Sequence, residues 1–129
     1  MTAIIIILES STFTAQTADD NKWTKDFNVD KSDFVSEGSN TFFKLKPGYQ
    51  LILEGNEENV NTKVIITVMN ETKIIGGVET RIVEEKEYHN GVIAEVSKNY
   101  YAIDNQSNSV FYFGEDVDIY RDNKIINHN

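Results

Sequence analysis

"VETRIVEEKEYHNGVIAEVSKNYYAID", residues 78–104, decides the fold. Two runs rich in β-branched and aromatic residues flank Asn90-Gly91, and both turn residues tolerate the positive φ that a type I′ hairpin needs. A two-residue loop there predicts a register in which His89 faces Val92, Lys86 faces Glu95, Arg81 faces Tyr100 and Val78 faces Ile103. Lys86 and Glu95 then form an opposite-charge cross-strand pair, and Arg81 lies over an aromatic ring. Charge crowds the turn end and apolar groups the far end, so the hairpin tip points to solvent and its base joins the core.

The same grammar extends in both directions. In "KPGYQLILEGN", residues 46–56, Pro47-Gly48 makes a turn and Tyr49, Leu51 and Leu53 alternate along a strand. Residues 56–59 read as a loop, "KVIITVM" (63–69) as a strand, and 72–75 as a separate short strand before Gly76-Gly77. Beyond the central hairpin, "DNQSN" (104–108) reads as an Asx-type turn and Asp122-Asn123 as another. Such spacing leaves no room for βαβ crossovers. The expected fold is all-β: an antiparallel meander over 41–129 forming a curved sheet or open half-barrel. An irregular polar arm, 19–40, precedes it, with Trp23, Phe27, Val29, Phe34 and Val35 scattered among charges. One helical turn and a few aromatics docked on the body are expected of that arm.

Residues 1–18 allow two readings. The apolar run Ala3 to Leu8, followed by small residues near Ala15 to Ala18, has the order of a degraded or truncated export signal. Four consecutive isoleucines equally suit a buried strand. The run is too short to cross a bilayer, and no transmembrane segment is expected.

Composition narrows the chemistry. A chain of 129 residues fits one domain, and 40% hydrophobic content is enough to build its core. Twelve basic against 21 acidic residues give a net charge of −9, which repels nucleic acid and anionic membrane surfaces. Cysteine is absent, excluding disulfides, thiolate metal sites and a cysteine nucleophile.

Three segments carry a family resemblance: "GGVETRIVEEKEYHNGVIAEVSKNYYAID" (76–104), "NSVFYFGEDVDIY" (108–120) and "FFKLKPGYQLILEGN" (42–56). Together they resemble a group of small, mostly exported bacterial and archaeal proteins of uncharacterised function. Those proteins share a proline-glycine strand entry, a "GV.T.VV" strand, a glycine hairpin and a "YFGED" strand end. The resemblance spans Phe42 to His128 and implies an extracytoplasmic, curved antiparallel sheet, and it implies no reaction. Members of that group continue past the position of His128, so the resemblance also implies a chain shortened relative to them.

Candidate chemistry centres on "SVFYFGEDVDIY", residues 109–120. If 110–113 is a strand, Phe111 and Phe113 share one face and Val110 and Tyr112 the other, which marks a central strand with Gly114 as a bend or bulge. Glu115, Asp116 and Asp118 are then expected to gather where that strand drops into solvent. They are the candidate metal ligands, and calcium is the metal that hard oxygen donors would take. The set lacks the spaced aspartates of a calcium loop, so the first expectation is a chain with no cofactor.

Tyr49, Tyr100, Tyr101, Phe111 and Phe113, with Tyr112, are the candidate ligand-binding residues. An aromatic concave face could hold a lipid or glycan, or serve an unknown protein partner. Core burial accounts for the same residues. No nucleophile–base constellation exists, and His89 and His128 sit at solvated positions, so a non-catalytic chain is expected. A carboxylate hydrolase using Glu84, Glu85 or Glu87 stands third, after a calcium-stabilised domain. The first expectation is an extracytoplasmic binding or interaction module of the cell envelope.

Overall fold

The computed structural model describes residues 27–129, so the two readings of residues 1–18, and Trp23, lie outside the described residues. A single 3₁₀ turn, Lys31–Asp33, leads into strands β1 (Phe34–Val35), β2 (Gly38–Ser39) and β3 (Lys44–Leu45). The body follows as β4 (Gln50–Glu57), β5 (Val60–Ile75), β6 (Val78–His89), β7 (Val92–Asp104), β8 (Val110–Arg121) and β9 (Lys124–His128). These six pair in chain order as an open antiparallel meander, not closed into a barrel. The all-β expectation holds. Among the described residues no helix is long and apolar enough to cross a membrane.

The turns follow from the residues that form them. Glu58-Asn59, Gly76-Gly77, Asn90-Gly91 and Asp122-Asn123 all have positive φ, as a two-residue I′ connection requires. At Asp104 the carboxylate accepts the backbone N–H groups of Gln106 and Ser107, an Asx turn that closes the loop to β8. Ser107 donates its hydroxyl to the same carboxylate, and these contacts hold the Asp104 carboxyl below its ordinary value.

Bulges correct the expected register. His89 does face Val92, but Tyr88 faces Ile93 and Glu87 faces Glu95, which makes Ala94 an extra residue. Beyond it Lys86 faces Val96 rather than Glu95, Arg81 faces Tyr101 rather than Tyr100, and Val78 pairs with Ile75 of β5 rather than with Ile103. The physical reason lies in the core. A one-residue slip flips every side chain of a strand, and only the bulged register puts Tyr101 and Ile103 on the same face as Val83. Ile103 then packs with Leu45, Val68 and Val83, all buried, while Phe43, Tyr49, Ile66, Tyr101 and Val110 surround them.

The strand segmentation also differs from expectation. Residues 63–69 and 72–75 form one long strand, β5, which is irregular between Val68 and Thr72. Strand β4 runs on to Glu57 through the expected loop. The arm is more ordered than its polarity suggests. Beyond Arg81, β6 and β7 part, and β1 takes the vacated edge with Phe34 opposite Asp104 and Val35 opposite Ile103. The β2–β3 hairpin then covers the core face, where a Cβ added to Gly38 would meet Ile103 Cδ1 at 3.1 Å.

Candidate functional site

The sheet has two faces, and the five candidate aromatics divide between them. Tyr49 and Tyr101 lie on the core face, Tyr101 tilted against Phe43 at 5.0 Å and against Tyr112 at 5.4 Å between ring centroids. Beside Tyr49 a cavity of about 140 Å³ lies under the hairpin residues Thr41 to Lys44. Tyr100, Phe111 and Phe113 lie on the opposite face, because side chains alternate and the Ala94 bulge sets which residues pair. No single concave surface gathers all five.

What the opposite face builds is a cleft. Phe34 meets Phe111 edge to face at 5.1 Å and Phe113 at 5.4 Å, and Phe27 meets Phe111 at 5.7 Å. Ile75 and Val78 complete an apolar recess of about 420 Å³, within the range of small-molecule sites. Lys31 stands at its edge and donates to the Gly76 carbonyl at 2.8 Å. The arm residues Phe27 and Phe34 are the part that sequence reasoning left out of the site. An aromatic surrounded by charge at each position was the available signal.

A polar cluster lies on this same face. Lys73 Nζ sits 4.3 Å from the Tyr100 ring centroid, donates to the Tyr100 hydroxyl at 3.0 Å and pairs with Asp116 at 3.1 Å. Lys73, not Arg81, is therefore the cation over Tyr100. The Tyr100 hydroxyl also donates to Asp116. That donation first, then Lys73, holds the Asp116 carboxyl below its ordinary range. Burial, followed by Asp116, pushes the Tyr100 hydroxyl up, and Tyr100 and Asp116 raise the Lys73 amine.

The candidate metal ligands do not converge. Strand β8 continues through Gly114, whose φ of 117° accompanies a register shift between Asn99 and Tyr101, and runs on to Arg121. The acids therefore lie inside a strand rather than at a sheet end. Glu115 pairs opposite Asn99 on the core face, while Asp116 and Asp118 face the other way, opposite Lys98 and Val96. Asp116 is engaged by Lys73, and Asp118 lies 2.6 Å from His128 Nδ1. Among the described residues no three acidic, histidine or cysteine groups are placed to hold a metal ion.

The chain matches no protein-family model, no curated protein and no solved structure. Geometry alone therefore bears on function. The hydrolase candidates are likewise dispersed: Glu84 pairs with Lys86 at 2.7 Å on one face, and Glu85 and Glu87 lie on the other. Glu85 is the perturbed member. Burial, then the charges of Glu87, Glu95 and Glu115, push its carboxyl above the ordinary range. His89 is close to Glu87, 2.5 Å away, and half-exposed beside the turn.

Proposed function

We propose that the chain is a non-catalytic, extracytoplasmic binding module of the cell envelope that takes the apolar chain of a lipid in the cleft between the arm and the sheet. One observation carries this reading: Phe27, Phe34, Phe111 and Phe113 converge from the arm and β8 around an apolar recess of about 420 Å³. Aromatic edges and aliphatic walls suit methylene groups, whose burial contributes about 0.8 kcal/mol each. Lys31 at the edge suits an acidic head group. The same wall offers few hydrogen-bonding groups for sugar hydroxyls, which favours a lipid over a glycan.

A dansylated medium-chain fatty acid tests the reading. Its emission should brighten and shift to the blue on mixing, and Phe27→Asp, at an exposed position on the cleft mouth, should weaken binding without unfolding the protein. No emission change, or binding that Phe27→Asp and Phe113→Ser both leave intact, would sink it. Export is tested separately, by fractionating cells of the source and sequencing the N-terminus of the protein recovered.

A further inference from the structure

Strand β4 forms one border of the sheet, and among the described residues nothing pairs with its outer edge. Gly48 N–H donates to the Val68 carbonyl and Val68 N–H to the Tyr49 carbonyl, which fixes the phase of the ladder from there. Hydrogen-bonded and non-bonded pairs alternate along antiparallel strands. With Leu51 opposite Ile66 and Leu53 opposite Val64 in bonded pairs, Gln50, Ile52 and Glu54 turn their N–H and C=O groups outward. Leu51, Ile52 and Leu53 remain 42%, 54% and 54% exposed, on both faces of that edge. Proteins usually blunt such an edge with lysine, proline or a bulge. Between Gln50 and Gly55 this strand has none of the three.

We infer that β4 pairs antiparallel with β4 of a second copy of this chain, about a two-fold axis through Ile52. The residues are self-complementary in that register. Ile52 meets its own counterpart on one face, and Leu51 meets Leu53 of the other copy on the opposite face, twice. Gln50 comes opposite Glu54 of the other copy, an amide able to donate to a carboxylate. Glu54 is already matched by Lys63 at 3.2 Å, so the net charge of −9 is not concentrated at the seam. Neighbouring axes are disfavoured on the same grounds: one centred on Glu54 opposes two glutamates, and one centred on Leu53 sets Ile52 against Glu54. The pairing closes, because each copy uses its one β4 edge.

Proline provides a clean probe, since the Ile52 N–H points away from β5 and proline is tolerated where a strand edge faces outward. Sedimentation equilibrium over a concentration series should show a dimer for the native sequence and a monomer for Ile52→Pro and Ile52→Lys, with unchanged far-UV circular dichroism. The chain has no cysteine, so single-cysteine variants report the register. Under mild oxidation Ile52→Cys should cross-link to a dimer, whereas Leu51→Cys, offset from its own counterpart, should not. A native protein that is monomeric throughout overturns the inference. So does a dimer that both Ile52 variants leave intact, or growth into open-ended multimers, which would indicate β4 pairing with β9.

Discussion

Arg81 donates from Nε to the carbonyl of Ser36 at 2.9 Å, and so a residue of the central sheet holds the N-terminal arm by its backbone. Its Nη1 reaches the Asn70 carbonyl at 2.7 Å, in the irregular stretch of β5. The residue is only 7% exposed, and Glu37 lies 4.0 Å from Nη2. One guanidinium thus ties the carbonyls of two segments together where β6 leaves β7.

Arg81→Met should therefore cost more than its lost packing. Two part-buried hydrogen bonds from a charged guanidinium are lost, together on the order of 1–3 kcal/mol, since the exposed Asn70 carbonyl can turn to water. Denaturant melts should show a loss of that order, and hydrogen exchange should quicken at residues 34–37. Arg81→Lys should rescue only part of the loss, because one ammonium lacks the fork that reaches both carbonyls.

The Ala94 bulge gives Glu95→Lys a definite sign. Glu95 faces Glu87, so the variant replaces a like-charge pair by an opposite one. A gain of up to about 1 kcal/mol is expected in urea melts. An unbulged hairpin would set Glu95 against Lys86, and the same substitution would then destabilise the protein.

Glu85 makes stability depend on pH. Its folded carboxyl titrates above the ordinary value of 4.5, chiefly because of burial. Well below 4.5 it is protonated in both states and contributes no penalty. As pH rises from 4.5 through the folded value, the unfolded chain releases its proton first and stability falls. Glu85→Gln should match the native protein in acid and exceed its melting temperature at neutral pH. Melting curves across that window check it.

The cleft wall yields to a double-mutant cycle. Phe34→Leu and Phe111→Leu should each destabilise, and their coupling should be about 0.5–1.5 kcal/mol, the scale of an edge-to-face pair. Additive effects would mean that the arm aromatics do not pack as described.

Much of the fold was legible because its punctuation is local. Asn90-Gly91 and Asp122-Asn123 announce their turns through residues that accept positive φ, and the runs between them are too short for crossovers. The bulges were not legible. "VIAEV" (92–96) alternates acceptably in either register, and only the packing of Ile103 against Leu45, Val68 and Val83 selects one. The site suffered from the same gap, since a single inserted residue decides which tyrosine of the pair Tyr100-Tyr101 faces the arm. Lys73 gave no warning of its place over Tyr100, because that contact depends on β5 remaining continuous past Val68.

The chain order of the sheet has a kinetic consequence. Every body strand lies beside its sequence neighbour, joined by two residues or by the short loop 105–109. Closing such loops costs little entropy, and isolated hairpins form in about 1–10 μs. The exception is β1, which must find Ile103 and Asp104 across most of the chain. The meander can therefore zip up from its turns while the arm is still searching, and in that interval Phe111 and Phe113 stand bare. Newly made chains would be most prone to capture by chaperones, or by one another, in the time before Phe34 docks.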